Sequence, residues 1–576
     1  MRRARKPSAA AAGGQLACRG ATVAGAATCS ALATITALAQ PVPDAGTTLR
    51  QLEPPSLTLP RKPPPGADVE APARPVLQPA PKIRFLLRAF RIAGVTVFQD
   101  AELQQLLQDY IGRDVGINEL GEAVGRITRF YTQNGYPLAT AYLPAQDIKE
   151  GVVELVVLEG RFGNVQLLNR SRVRDGVIAA YLDGLPGSIV EDAVLERQLL
   201  LVYDLSGVVP AKAVLAPGQA IGETDLRLEL EPSPAMTGSA ELDNYGNRFS
   251  GATRASAQLD LTSPLRLGDA LSVRATKGDP GLEYARMGYQ MPVGGQGLRT
   301  GAGYSHVHYR LGEDFSALGA SGEADTGSAF VQYPFVRSRQ LSLYGRLAYE
   351  RRSLQDRIAT TSTVTDRTAR VLMFSFSGDS FDSWGGGAAN AFSLGYGRGD
   401  LNIESQAAKA IDDATARTGG AYHKWTMSFV RLQNLTEQLS AYATFYGQKA
   451  AKNLDSSEKL ILGGINGVRA YPQGEAPGDT GYLLSAELRY AFNAAVPQGS
   501  LQLTGFVDTG QVRLNEETFA AGANHRRLSG AGVGLNWFKP NDFALRLAVA
   551  HRIGNTRATA GTDNETRGWL QAIKYF

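Results

Sequence analysis

Residues 341–350 read Leu-Ser-Leu-Tyr-Gly-Arg-Leu-Ala-Tyr-Glu, and apolar and polar side chains alternate along them. In an extended chain, successive side chains point to opposite faces, so one face would be mainly apolar and the other mainly polar. The same alternation returns in residues 484–490 and 543–550. These stretches therefore predict β-strands that lie between an apolar and a polar environment.

The region around these stretches, residues 236–576, is rich in glycine and tyrosine and has no run of 18 apolar residues. A soluble β-sandwich also alternates, but it would not spread its strands over so long a region without a second core. A transmembrane barrel with apolar side chains toward lipid and polar ones toward a wet lumen fits better. About 20 residues per strand and loop gives roughly 16 antiparallel strands, since outer-membrane barrels favour even numbers.

The N-terminal residues 1–39 have the features of a secretory signal peptide. Arg2, Arg3, Arg5 and Lys6 precede an alanine-rich stretch that ends in a small-x-small cleavage site at Ala39. Residues 40–82 contain 12 of the 28 prolines, which predicts an extended linker. Within it, residues 49–53 could form a short helix or be disordered, and the sequence favours neither.

Charge and composition exclude several functional classes. The formal net charge is +4, but residues 1–39 carry five basic and no acidic side chains, so the remainder carries −1. This balance gives no electrostatic case for nucleic-acid binding. The two cysteines, Cys18 and Cys29, lie in the predicted signal peptide, and no metal-ligand spacing or nucleophile motif is present. We expect no enzyme activity, no catalytic residue, no metal and no cofactor.

Two small α+β units are predicted between the linker and the barrel, at residues 83–159 and 160–232. In each, hydrophobic periodicity indicates the order β-α-α-β-β, and a fixed order in two consecutive units suggests a tandem repeat. An exposed edge of such a small sheet can add an extended chain as a further strand.

Several motifs in order resemble one known family. Tyr131-Thr-Gln-Asn-Gly-Tyr-Pro and Gly151-Val-Val-Glu-Leu-Val-Val-Leu-Glu-Gly160 resemble the first POTRA domain of two-partner secretion transporters, the hemolysin secretion/activation proteins. Asp243-Asn-Tyr-Gly246 and Tyr333-Pro-Phe-Val-Arg-Ser338 resemble segments of their barrel. The resemblance implies POTRA domains in the periplasm and a barrel in the outer membrane of a Gram-negative cell.

The stretch 462–475, Leu-Gly-Gly-Ile-Asn-Gly-Val-Arg-Ala-Tyr-Pro-Gln-Gly-Glu, is too rich in glycine for a strand. It resembles the family's conserved loop that folds back into the lumen, which gives Val468, Arg469, Ala470 and Tyr471 as the secretion motif. The family usually has glycine where Ala470 stands, and alanine would be strained there if the position needs a positive φ.

A second motif, Gly505-Phe-Val-Asp-Thr-Gly510, resembles the family's wall segment whose aspartate pairs with the loop arginine. The resemblance gives Asp508, Phe506 and Gly510 as the partners of the loop. Strand parity independently turns Asp508 toward the lumen, because Gln502 and Thr504 share its face. We therefore expect an Arg469–Asp508 pair.

The expected function is export. The POTRA domains would recognise a secreted exoprotein, adhesin-like or hemolysin-like, through its N-terminal secretion domain. A monomeric barrel surrounded by outer-membrane lipid would pass that protein in unfolded form. Two alternatives remain at this point: an insertase for other barrels from the same superfamily, and a passive porin.

Overall fold

The structure is a computed structural model that describes residues 42–53, 57–60, 62–69, 84–492 and 499–576. The predicted signal peptide and residues 40–41, 54–56, 61 and 70–82 of the proline-rich region lie outside these ranges. The part of the linker that is described contains helix α1 (Ala45–Leu52) and the short strand β1 (Asp68–Val69). Helix α1 begins earlier than the stretch 49–53 considered from the sequence, because Asp44 caps it and accepts a hydrogen bond from Thr47 N at 2.8 Å.

The first α+β unit follows the linker. Its elements are β2 (Phe85–Leu86), β3 (Ala89–Ala93), α2 (Asp100–Leu106), a 3-10 turn (Gln108–Tyr110), β4 (Asp114–Val115), α3 (Ile117–Gln133), β5 (Thr140–Tyr142) and β6 (Val152–Leu158). Strand β6 lies in the centre of the three-stranded sheet, parallel to β3 and antiparallel to β5. Strand β3 ends at Ala93 because Gly94 turns the chain with φ of 82°. The cap of α2 is Gln99, so Asp100 is the first helical residue.

The buried carboxylate of Glu159 connects the two motif segments of this unit, the one that begins at Tyr131 and the one that ends at Gly160. Glu159 accepts hydrogen bonds from the backbone N–H groups of Thr96 and Val97 at 2.7 and 2.9 Å, and from Tyr131 Oη at 3.0 Å. Burial by itself raises the pKa of Glu159, but these hydrogen bonds and one from the Thr96 hydroxyl outweigh it and hold that pKa below its usual value. The carboxylate thus fixes the turn after β3 against α3.

Over its described residues 160–232, the second unit has the order β-α-α-β-β, without counterparts of the short strands β2 and β4. Its elements are β7 (Arg161–Asn169), α4 (Asp175–Leu182), α5 (Asp192–Tyr203), β8 (Val208–Pro217) and β9 (Glu223–Pro232). Its sheet has the order β1-β8-β9-β7, so the chain's own residues 68 and 69 already cover part of one edge. The sequence did not anticipate this covered edge, because β1 is only two residues long.

The rest of the chain forms the barrel and its loops. The strands are β10 (Met236–Asp243), β11 (Gly251–Thr262), β12 (Ala270–Pro280), β13 (Leu282–Val293), β14 (Leu298–Arg310), β15 (Ala320–Arg337), β16 (Leu341–Ile358), β17 (Thr363–Asp382), β18 (Ala388–Ile403), β19 (Gly420–Asn434), β20 (Leu439–Ala450), β21 (Leu460–Ile461), β22 (Pro477–Gly478), β23 (Thr480–Ala491), β24 (Ser500–Arg513), β25 (His525–Lys539), β26 (Phe543–Arg552) and β27 (Thr566–Tyr575). Helix α6 (Gln406–Ala414) lies between β18 and β19.

All of these strands except β21 and β22 belong to one closed antiparallel barrel of sixteen strands, which confirms the expected fold class. Strand β10 closes the ring by pairing with β27, so the C-terminal segment that ends at Phe576 is the closing strand. The faces predicted for β16 are also confirmed: Leu347 and Tyr349 are exposed on the outside, whereas Ser342 is buried. Within the described residues no helix is long and apolar enough to span a membrane.

The second α+β unit contacts the barrel at the turn between β15 and β16. Asp204 pairs with Arg337 at 2.7 Å, and Arg197 donates to the carbonyl oxygen of Pro334 at 3.0 Å. These contacts define the end of the barrel that faces the α+β units. The long loops, including residues 451–479, lie at the opposite end.

Candidate functional site

The loop between β20 and β23 folds back into the lumen. Leu462, Val468 and Tyr471 are buried against barrel residues, and Gly463 forms a parallel bridge with Val468 inside the loop. The loop is therefore a packed part of the interior, where it lines the same cavity as the barrel wall.

Arg469 and Asp508 meet in a two-pronged ion pair. Arg469 donates from Nε to Asp508 Oδ2 and from Nη2 to Oδ1, both at 2.8 Å, and its backbone N–H also reaches Oδ2 at 3.1 Å. Glu487 and Ser485 on β23 accept from the same guanidinium at 2.8 and 3.0 Å. The guanidinium also stacks 3.4 Å from the centre of the Phe506 ring. Five contacts with adjacent strands therefore define one orientation of the arginine.

Strand β24 positions the wall side of this pair. Phe506 and Asp508 are buried on the inner face, while Val507 between them is exposed on the outside. Gly510 lies on the inner face as well, and a Cβ there would come within 2.9 Å of Leu462 Cδ2. The glycine thus leaves the space that the base of the loop occupies.

The loop packs at Ala470 on Gly530 of β25. A Cβ on Gly530 would lie 2.5 Å from the Cβ of Ala470, so the alanine methyl takes the space that a side chain would fill. Ala470 does not have a positive φ. The strain considered from the sequence does not arise, because the backbone here does not need glycine. Beside it, Tyr471 donates to the carbonyl oxygen of Thr556 at 2.9 Å.

Two further residues that hold the loop were not singled out from the sequence. Glu475 is fully buried and pairs with Arg526 at 2.8 Å, and it accepts from the backbone N–H groups of Thr559 and Ala560 at 2.7 Å. Trp569 donates from Nε1 to the carbonyl oxygen of Arg469 at 2.8 Å. An acid at the end of a glycine-rich loop was a usable signal for Glu475, but nothing local marks Trp569.

Helix α1 also lies inside the barrel, at the end with the long loops. Ala45 and Leu49 are buried in a cluster that includes Phe249, Tyr309 and Phe315. Gly46 is close-packed, since a Cβ there would overlap Ser456 Oγ. The helix therefore fills part of the lumen beside the folded-back loop.

The N-terminus of α1 is held by a group of charges. Asp44 accepts from Ser456 Oγ at 2.6 Å and pairs with Arg367 at 3.2 Å. Arg367 also pairs with Asp356 on β16 at 2.5 Å and with Asp455 in the loop. Asp356 accepts in turn from the backbone N–H of Ala45 at 2.8 Å. One arginine thus joins the helix, the wall and the loop.

The C-terminus of α1 is held separately. Glu53 pairs with Arg286 at 3.0 Å and accepts from Tyr284 Oη at 2.6 Å. Arg50 contacts the carbonyl oxygen of Lys459 at 3.4 Å. Both ends of the helix are therefore tied to the lumen by polar contacts.

A cavity of about 1690 Å³ remains inside the barrel, on the side toward the α+β units. It reaches from the loop tip at Asn466 to the turn at Pro540 and Asn541. Its lining includes the charged side chains Glu241, Arg254, Arg274, Arg346, Arg489 and Arg546. This passage has charged, polar and apolar side chains in its lining, and it is bounded at its far end by the loop and α1.

Comparison with known proteins agrees with this architecture. The family described as haemolysin secretion/activation protein ShlB/FhaC/HecB matches residues 222–537, which is more than half of the chain. The family described as POTRA domain, ShlB-type, matches residues 85–160.

Curated relatives match over most of their length. The heme/hemopexin transporter protein HuxB of Haemophilus influenzae is 26% identical over 489 residues, 82% of this chain and 84% of the relative. The outer membrane transporter CdiB of Dickeya dadantii is 24% identical over 506 residues, 84% of each chain.

The solved structure of CdiB from Escherichia coli has a TM-score of 0.71 at 17% identity and covers 88% of this chain and 93% of its own. The family match favours an exporter over the insertase and the porin considered from the sequence, and the family is one of transporters. The chain therefore belongs to the haemolysin secretion/activation family ShlB/FhaC/HecB, as a two-partner secretion transporter of the outer membrane with periplasmic POTRA domains.

Proposed function

We propose that the barrel lumen is the route of an unfolded exoprotein and that α1 leaves the lumen during export. The observation that carries this proposal is the position of α1, which together with the folded-back loop closes the extracellular end of a cavity that extends toward the periplasm. Ion pairs and one small apolar cluster hold the helix. A helix of eight residues buries little surface, so it can be displaced by an entering chain.

The loop motif then has a different role from α1. Val468, Arg469, Ala470 and Tyr471 face the wall motif that contains Phe506, Asp508 and Gly510. We infer that this contact holds the loop in the position required for export and keeps one side of the passage ordered. A wall with many charged and polar side chains suits the backbone of an extended chain, because it supplies hydrogen-bonding groups.

Recognition of the partner is assigned to the POTRA domains. The exposed edges of the two sheets are β3 and β5 in the first domain and β7 in the second. An extended segment from the N-terminal secretion domain of a secreted exoprotein, adhesin-like or hemolysin-like, can pair with such an edge. The edge at β8 becomes available only if β1 separates from it. Each barrel closes on its own strands, so one copy of the chain is sufficient.

A disulfide between α1 and the loop tests the route. Gly46 and Ser456 are in contact, and the chain has no cysteine after residue 39. We expect the Gly46→Cys/Ser456→Cys variant to secrete its partner only under reducing conditions, whereas each single variant secretes under both. Full secretion with the disulfide formed would show that α1 does not need to leave.

Partner recognition is tested on the intact transporter in detergent. We expect calorimetry to detect binding of the partner's N-terminal domain to the full chain and no binding after deletion of residues 84–232. A deletion variant that still binds and secretes the partner would contradict the role of the POTRA domains, without bearing on the route through the lumen.

A further inference from the structure

A row of basic side chains lies on the outer face of the barrel. Five adjacent strands, β16 to β20, each contribute one exposed residue to this basic row: Arg351, Arg370, Arg398, His423 and Lys449. They face away from the lumen, so none of them belongs to the export passage.

The basic row runs at one height around the barrel. Arg351 is opposite Arg370 in the register, and Arg398 is opposite His423. On β18 the residue opposite Arg370 is Asp400, and Arg398 lies two residues nearer the periplasm. On β20 Lys449 is opposite Trp425, which lies two residues nearer the periplasm than His423. A line drawn through paired residues from each strand to the next in chain order climbs toward the extracellular end of the barrel. Strands about 4.8 Å apart and tilted by about 40° need a step of roughly 1.2 residues per strand to keep a line level. The row therefore stays close to level.

Aromatic and apolar side chains lie directly below the row. Two residues toward the periplasm on the first four strands are Tyr349, Leu372, Tyr396 and Trp425, which face outward. Tyrosine and tryptophan on the outside of a barrel mark the boundary between the lipid tails and the headgroups. The basic row is thus the first polar layer outside the apolar band.

The height of the row agrees with this boundary. Strand β16 begins at Leu341, beside the turn that contacts the second POTRA domain, and Arg351 follows ten residues later. Ten strand residues tilted by about 40° rise about 25 Å, which is the height of the apolar band of such barrels. Arg351 therefore lies at the outer leaflet.

The cations of the row are not neutralised by the protein. In the described part of the chain, lumen residues such as Arg352, Arg367 and Lys424 form ion pairs on these strands, but none includes the arginines or the lysine of the row. Asp400 is opposite Arg370 in the register, yet it does not form an ion pair with it. A level row of free cations at a lipid boundary calls for an anionic partner.

We propose that the basic row binds the phosphate groups of the glycolipid in the outer leaflet, the lipid A part of lipopolysaccharide. Arginine binds phosphate with two parallel hydrogen bonds, and three of the five residues are arginines. The row spans about 25 Å, estimated from four strand steps across the tilted sheet, which exceeds the width of one phosphate. The partner must be anchored in lipid, because the row borders directly on the aromatic side chains below it.

The test compares two lipids on the intact, purified protein in zwitterionic detergent. Native mass spectrometry measures the binding of lipid A and of its dephosphorylated form. We expect wild-type protein to bind lipid A at least about tenfold more tightly than the dephosphorylated form. This preference should be lost in the row variant, Arg351→Gln/Arg370→Gln/Arg398→Gln/Lys449→Gln.

A charge-matched control removes four exposed cations from the first POTRA domain, as Arg88→Gln/Arg113→Gln/Arg129→Gln/Lys149→Gln. It should keep the preference for lipid A. Heat-modifiable migration on gels establishes that each barrel is folded. If the fourfold variant does not fold, the double variant Arg351→Gln/Arg370→Gln replaces it in the binding measurement.

Four outcomes would overturn the proposal. The first is equal binding of the two lipids by wild-type protein, which would assign binding to the acyl chains. The second is an unchanged preference in the row variant. The third is an equal loss of the preference for lipid A in the control variant, which would show that binding depends on the total charge of the protein. The fourth is competition at equal strength by a phosphorylated oligosaccharide that has no acyl chains, which would indicate a soluble polyanion instead of a lipid.

Discussion

The pair between Arg469 and Asp508 allows the loop to be released by one isosteric change. Asp508→Asn keeps the size of the side chain and removes its charge, which leaves Arg469 with Glu487 as its remaining acidic partner at 2.8 Å. Asp508 is fully buried, and breaking a buried ion pair costs about 3–5 kcal/mol. Because Glu487 and Ser485 still hold the guanidinium, we take the lower end, about 3 kcal/mol. The open state of the loop should then become about 100-fold more populated.

A single cysteine reports this opening. Val468 is completely buried in the loop, and the chain has no cysteine after residue 39, so Val468→Cys is a unique reporter. We expect a maleimide to label it about 100-fold faster when Asp508→Asn is present. Asp382→Asn is the control for loss of a paired carboxylate, because Asp382 is more exposed than Asp508 and pairs with Arg431 at 2.8 Å away from the loop. It should leave the labelling rate unchanged.

Two results would refute the reasoning. A labelling rate that changes by less than about threefold with Asp508→Asn would correspond to well under 1 kcal/mol, the value of a solvated surface pair. An equal increase in the Asp382→Asn control would mean that loss of any wall charge loosens the barrel.

Three further predictions follow from the same geometry. Gly530→Ala should impair secretion because its Cβ would meet that of Ala470 at 2.5 Å, and Ala470→Gly in the same chain should restore it. Deletion of residues 462–475 should raise the single-channel conductance in planar bilayers, and an unchanged conductance would place the loop outside the ion path. The pKa of Glu159 is lowered in the folded state, so its stabilising effect is present above about pH 4.5 and is lost as the pH falls through the folded pKa. Hydrogen exchange of residues 95–98 in the intact protein, corrected for the intrinsic rate, should show this loss, and Glu159→Gln should remove its pH dependence.

The sequence was sufficient for features that depend on local alternation. The faces of β16 and the inward direction of Asp508 follow from a period of two, which any strand of known register parity obeys. The number of strands follows from the length of the region 236–576, at about 20 residues for each strand with its loop. These features need no knowledge of which strands are neighbours.

Features that depend on distant partners could not be read in the same way. Parity turns Glu487 inward, but only the register of β23 and β24, which sets Ser485 opposite Asp508, brings it to Arg469. Residues 45–52 form a weak helix by themselves, and the contacts that hold the helix come from distant parts of the chain, among them Tyr284, Asp356 and Ser456. The sequence could therefore indicate at most a helix of one or two turns, and it could not indicate that this helix lies in the lumen.

The charges around the two elements in the lumen suggest which of them moves more easily. When α1 leaves, Asp44 goes with it, but Arg367 keeps Asp356 and Asp455 as partners. Arg286 loses Glu53, but its side chain is about half exposed, so its charge is solvated. When the loop leaves, Arg469 goes with it, and the fully buried Asp508 loses its cation, whereas Glu487 keeps Arg489 as a partner. Leaving a buried charge without its partner is the costly case, so the lumen penalises loss of the loop more than loss of α1. We therefore expect α1 to be displaced first, with the loop still held against the wall by Arg469.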